Sequence, residues 1–191
     1  MSSDTYADSV STNPQSHTLE TELNRFVGWN NRRRLEYLAK RKVKRRFRDA
    51  NIYSKGVYLL DNGIVAKHLD PNMSGFVLWK NEINALKRVV GEIHFPQLIA
   101  ADPINLIIYM TYCGPSLSTG AKIPPNWKRQ VENIKNSLIR RQMNPNDILP
   151  RNICVWKGTL KIIDFGLSNA RHPEIVRSVD KLKRLLTQYS T

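Results

Sequence analysis

Asn146-Asp147-Ile148-Leu149-Pro150-Arg151-Asn152-Ile153-Cys154-Val155, followed by Leu160-Lys161-Ile162-Ile163-Asp164-Phe165-Gly166, is the stretch on which the fold turns. Its prolines and asparagines make residues 144–151 a loop. Ile153–Trp156 and Leu160–Ile163, joined at Lys157-Gly158-Thr159, read as two short strands. The loop leaves a helix running from about Asn126 to Met143, with Trp127, Val131, Ile134, Leu138 and Ile139 on a core-facing stripe. Asp147 and Asn152 stand five residues apart on this loop, and Asp164 follows twelve residues after Asn152, just past a strand.

Upstream, Gly56–Leu60 and Ile64–Leu69 flank Asp61-Asn62-Gly63, and Asn-Gly between two apolar runs is a strong hairpin signal. Ser74 can cap a helix running to Val90, with Leu78, Ile83, Leu86 and Val90 on one face and Gly91 ending it. Two strands follow, Gln97–Ala101 and Leu106–Tyr112, then a loop from Gly114 to Pro125. A last helix spans Pro173 to Gln188. This order of elements predicts an α+β fold.

The chain has 191 residues, 41% of them hydrophobic and 24% charged, which suits one domain with a core. No apolar run is long enough to span a bilayer, and the polar first twenty residues carry no secretory signal. Two cysteines make no disulfide framework, and with His68 and His94 they show no zinc spacing. A reducing compartment, cytoplasm or nucleus, is expected. Of the net charge of +14, the segment Arg25–Arg48 carries +10, from eleven Lys and Arg against Glu36. The expected organisation is a disordered tail at 1–18, a basic arm at 19–50 with one or two weakly packed helices, and a domain at 51–191. The arm reads either as a polyanion contact, for nucleic acid, an anionic membrane surface or an acidic protein, or as a solvated basic face.

Lys67, on the second strand of the hairpin, precedes Glu82 on the next helix by fifteen residues. With Asp147, Asn152 and Asp164 they form, in order and on the expected element types, the parts list of phosphoryl transfer. On these residues the chain resembles the protein-kinase superfamily from about Tyr53 to Gln188. It is most similar to small atypical members: the RIO-like kinases, the KEOPS-complex kinase and the lipopolysaccharide-type sugar kinases. The resemblance implies a reduced two-lobe fold with a basic N-terminal extension, the lobes dividing near 113/114. It implies ATP and Mg²⁺ (or Mn²⁺) as cofactors, Asp147 as the base that accepts a hydroxyl proton, and Asn152 and Asp164 as metal ligands. Lys67, held by Glu82, would position the phosphates. Gly56, Val57 and Ala66 would flank the nucleotide, and Tyr109–Gly114, with Tyr112 and Cys113, would form the hinge that receives adenine. Asp180 would tie the last helix to the catalytic loop.

The sequence departs from the family at three points: Gly56 is the single glycine in place of three, Pro145 stands where a histidine is usual, and Leu149 where a lysine is common. Cys113, Cys154, Trp79, Trp127 and Trp156 read as packing residues, and His68 and His94 as surface or satisfied histidines. Trp29, among Asn30, Asn31 and Arg32–Arg34, could stack on a base or pack on the domain. The resemblance points to a minimal serine/threonine protein kinase acting on a protein substrate, with a partner complex as in its relatives. The alternatives are a catalytically weak kinase-like module that binds nucleic acid or an acidic partner, and a small-molecule or sugar kinase. Compact kinases of this type also occur in large DNA viruses, so a viral origin is compatible.

Overall fold

The computed structural model describes residues 21–47, 54–145, 147–166 and 172–190. The tail assigned to 1–18 lies outside them. Residues 21–25 are helical, and α1 follows at Asn31–Leu38, capped by the Asn30 side chain, which accepts from the Arg33 N–H at 2.9 Å. Strands β1 (Val43–Phe47), β2 (Ser54–Leu60) and β3 (Ile64–Leu69) come next, then helix α2 (Met73–Arg88), then β4 (Leu98–Asp102) and β5 (Ile107–Thr111). These form one antiparallel sheet of order β1-β2-β3-β5-β4. Helix α3 (Trp127–Arg140), the hairpin β6 (Ile153–Trp156) and β7 (Thr159–Ile162), and helix α4 (His172–Tyr189) complete the chain. The architecture is α+β with antiparallel sheets, as the order of elements predicts.

Strand alternation splits the β3 residues between the two faces of the sheet. Ile64 and Ala66 face a cluster with Phe26, Leu38, Leu60, Ile99 and Tyr109. Val65 and Leu69 face the larger core, which takes in α2 through Ile83 and Leu86 and continues into Ile134, Leu138, Leu160, Val179 and Leu186. One continuous apolar core therefore joins the five-stranded sheet to α3 and α4.

The segment 19–50 corrects two expectations. Its second part, Val43–Phe47, is a strand and not a helix, because it finds β2 as a partner. Its first part is firmly packed. Asn31 exchanges hydrogen bonds with Ala101, donating through Nδ2 to its carbonyl at 3.0 Å and accepting from its N–H at 3.1 Å. Arg34 donates to the Ile99 and Phe26 carbonyls at 2.8 and 3.1 Å. Trp29 packs edge-on against Phe26 and Tyr37.

Smaller differences have local causes. Asn72, not Ser74, caps α2, accepting from the Gly75 N–H at 2.7 Å. The apolar face of that helix ends on Val89, which is wholly buried, while Val90 is exposed. The turn Lys157-Gly158 has φ of 48° and 70°, the twist a two-residue hairpin loop requires. Among the described residues no helix is long and apolar enough to cross a membrane.

Candidate functional site

A cavity of about 630 Å³ opens between the sheet and the β6–β7 hairpin. Val57 from β2, Val65 and Lys67 from β3, and Met110 to Gly114 at the end of β5 line it from the sheet side; Asn152, Cys154, Ile163 and Asp164 line it from below. Its size suits a small organic ligand.

At its back, Lys67 lies 2.6 Å from Glu82 Oε2 and 2.8 Å from Asp164 Oδ1. Lys67 and Glu82 are buried, and the Asp164 side chain keeps about a quarter of its surface. Burial alone would pull the Lys67 ammonium down, but the charges of Glu82 and Asp164 outweigh it and hold the lysine above its usual range. Burial pushes Glu82 up against the attraction of Lys67. At Asp164 burial opposes ionisation, yet Lys67 and the Gly166 N–H hold the carboxyl below its usual range.

The backbone that carries Asp164 is specially shaped. Its φ of 69° lies in the left-handed region, which Asp tolerates better than most residues. Phe165 follows, wholly buried and edge-on to Phe95 at 5.8 Å. From α2, Asn81 donates to the Gly166 carbonyl at 3.3 Å. Asn152 accepts the Ile163 N–H on its carbonyl at 3.0 Å, so the 147–152 loop is bonded to the residue that precedes Asp164. The Asn152 side chain donates to the Asp147 carbonyl at 3.0 Å and to Oδ2 at 3.3 Å. Arg151 lies 3.5 Å from Asp147 Oδ2. A small void of about 20 Å³ is bounded by Asp147, Lys67, Glu82, Asp164 and Gly166. All five residues singled out for chemistry thus meet at one place, although Asp147 borders this void and not the main cavity.

Of the remaining candidates, Val57, Tyr112 and Cys113 line the cavity. Ala66 does not: its side chain belongs to the opposite cluster, and Val65, one residue earlier, takes the cavity position. Counting back two residues from Lys67, as a strand's alternation demands, finds Val65. Gly56 is also absent from the lining; it pairs with His68 in β2, and the next pair along, Val57 and Lys67, is the one that lines the cavity. Phe47, Arg45 and Arg46 line the cavity instead, through a strand that sequence reading missed. Asp180 is exposed, and Ser178 ties α4 to the loop by donating to Asn144 Oδ1 at 2.7 Å. Both cysteines are buried, and burial pushes the Cys113 thiol up to about 12 and raises Cys154 as well. His94 is buried with Nδ1 against the Leu160 carbonyl at 2.9 Å; Trp79 and Trp127 are half-buried against the core, and Trp156 is half-buried and edge-on to Tyr112.

Among the described residues no three His, Cys, Asp or Glu cluster as a metal site. The available donors are the oxygens of Asn152 and Asp164, a hard set that could hold a divalent cation whose other positions come from a ligand and water. Chemically the site offers a fixed ammonium, two acidic side chains outside the lysine–glutamate pair and a concave wall for an apolar ring. No family model matches the chain, and no curated protein matches it.

Proposed function

We propose that the chain is a compact phosphotransferase of protein-kinase-like fold, transferring the ATP γ-phosphate to a serine or threonine hydroxyl on a protein. The observation that carries this reading is Lys67, bonded to Glu82 and Asp164 at the back of a cavity whose floor holds Asn152, with Asp147 alongside. In this reading Lys67 holds the α- and β-phosphates and Glu82 keeps the lysine in place. The backbone of 112–114 meets the adenine, and Val57, Val65 and Met110 cover its faces. The acceptor hydroxyl attacks the γ-phosphorus, the bond to ADP breaks, and the hydroxyl proton passes to Asp147.

Asn152 and Asp164 fit Mg²⁺, because both present oxygen and both border the cavity. When bound, the ion would neutralise charge on the phosphate oxygens. Asp164 already faces a cation, Lys67, so its carboxylate is held ionised and ready to ligate. Leu149 leaves no lysine two residues after Asp147, but Arg151, four residues after it, borders the same cavity.

The test is transfer of labelled γ-phosphate, with Mg²⁺ or Mn²⁺, to the chain itself and to a generic protein acceptor, beside Asp147→Asn and Asp164→Ala. Label that is present with the wild type and absent with both variants is expected. Absence of both label and nucleotide binding in the wild type would overturn the reading.

A further inference from the structure

The eleven cations of Arg25–Arg48 divide into two groups. Arg34 is bonded to the Ile99 and Phe26 carbonyls, Arg25 pairs with Glu22 and Arg32 with Glu36. Arg33 lies over the Trp29 ring at 4.3 Å and Arg41 over the Tyr37 ring at 4.3 Å. These five make contacts within the fold, and three of them, Arg25, Arg33 and Arg41, lie over the Tyr37 and Trp29 rings on which a nucleobase would stack. The second group, Lys40, Lys42, Lys44, Arg45 and Arg46, is exposed and runs along the turn into β1; within it Arg45 lies over the Phe47 ring at 5.3 Å, and Arg46 lies over the Tyr58 ring at 5.7 Å and donates to the Lys55 carbonyl at 3.4 Å. Arg48 lies outside the described residues.

That strand is the end of the sheet. It pairs with β2 on one side, and among the described residues no strand lies on the other. Such an edge offers a row of backbone donors and acceptors. Its own cations repel a second copy of this basic chain, while an acidic extended segment would gain both the backbone bonds and the charge attraction. Val43, 56% exposed, adds an apolar contact in the same row. The strip also leads to the chemistry, because Arg45 and Arg46 line the cavity that contains Lys67 and Asp164.

We infer that the outer edge of β1 docks an extended, acidic segment of the protein acceptor by strand addition, with Lys42, Lys44, Arg45 and Arg46 as its charge partners. The inference rests on the phosphotransfer reading for the fate of the segment, but not for its binding. An acidic peptide is favoured over nucleic acid because the aromatic platforms are already covered by arginines.

The experiment measures fluorescence anisotropy of a short peptide alternating Glu and Thr on the full chain at low salt. A matched Lys–Thr peptide, a copy N-methylated at alternate backbone amides and an oligothymidylate of equal charge serve as comparisons. Lys42→Glu/Lys44→Glu is the variant, since neither residue lines the cavity. The acidic peptide should bind, and either N-methylation or the double variant should weaken it about tenfold, while the Lys–Thr peptide should not bind. Tighter binding of the oligothymidylate, with no effect of N-methylation, would overturn the inference in favour of a nucleic-acid surface. No acidic-peptide binding, or binding that the variant leaves unchanged, would also overturn it. A fluorescent ATP analogue run in parallel separates the two readings: nucleotide bound without peptide removes the docking site alone, and peptide bound without nucleotide removes the phosphotransfer reading alone.

Discussion

Lys67 and Glu82 meet at 2.6 Å although they come from a strand and a helix fifteen residues apart, and Asp164, ninety-seven residues beyond Lys67, shares the same ammonium at 2.8 Å. One buried cation therefore serves two carboxylates. The arrangement joins the sheet, α2 and the loop after β7 at a single atom. Two carboxylates there share one positive charge. In the proposed reading, a divalent cation held by Asp164 would supply the missing positive charge.

Replacing Lys67 by Met should strand both carboxylates without a counter-charge. The expected loss is about 3–5 kcal/mol of folding stability, together with loss of the phosphate transfer proposed above. Glu82→Gln should cost less stability, because Lys67 keeps Asp164 as a partner. Urea unfolding of the two variants against the wild type measures both. Equal stability of Lys67→Met and wild type would mean that the three groups are not ionised together.

Gly114 shapes the cavity wall at the end of β5. Its φ is 87°, and a Cβ there would lie 2.0 Å from the Val155 carbonyl oxygen, a backbone atom that cannot swing away. Gly120 has nearly the same φ, 85°, but nothing lies within 4 Å of its Cβ position. Gly114→Ala should therefore cost at least about 3 kcal/mol, and Gly120→Ala only the left-handed penalty of about 1 kcal/mol. Thermal unfolding of the pair separates the steric effect from the conformational one.

The cysteines should be inert. Cys113 borders the cavity, yet burial raises its thiol to about 12, and Cys154 is raised as well, so neither forms thiolate near pH 8. An aromatic disulfide reagent should titrate no thiol in the folded chain and both in denaturant. Fast labelling in the native protein would show that the segment after β5 opens readily, for Cys113, or that β6 does, for Cys154.

Much of this site was legible because its residues sit at fixed separations on elements with strong local signals. Asn62-Gly63 marked the hairpin that carries Lys67, and the apolar stripe through Leu78, Ile83 and Leu86 marked the helix that carries Glu82. What stayed hidden depended on partners distant in sequence. Val43–Phe47 carries three cations in five residues and has no strand-like alternation of its own; only pairing with β2 makes it a strand. The packing of α1 was equally hidden, because Arg34 and Asn31 bond to backbone atoms some seventy residues away, which no charge pattern records. Ala66 was misplaced by a single residue, and on a strand that shift exchanges the two faces of the sheet.

Glu92 provides a test of how the sheet is fastened to the helices below. It follows α2 and accepts two hydrogen bonds from α3, from Ser137 Oγ at 2.8 Å and Arg140 Nη2 at 2.8 Å, and a third from Arg141 Nε, just past the helix, at 3.0 Å. Arg140 is the main reason its carboxyl is held down to about 2, from an ordinary 4.5. Because the folded-state value is depressed, the unfolded chain binds the proton first, and stability falls with acid in the window between those values. The contribution of Glu92 should thus be complete above about pH 5, shrink from pH 4.5 downward, and vanish near pH 2. Discounted for the solvent exposure of both arginines, it should amount to about 1–2 kcal/mol. Glu92→Gln should therefore lower the urea midpoint at pH 7, and the gap from wild type should narrow steadily between pH 4.5 and pH 3. A gap that stays constant across that range would mean the carboxylate charge contributes nothing, and that α3 is held to the sheet by its apolar stripe alone.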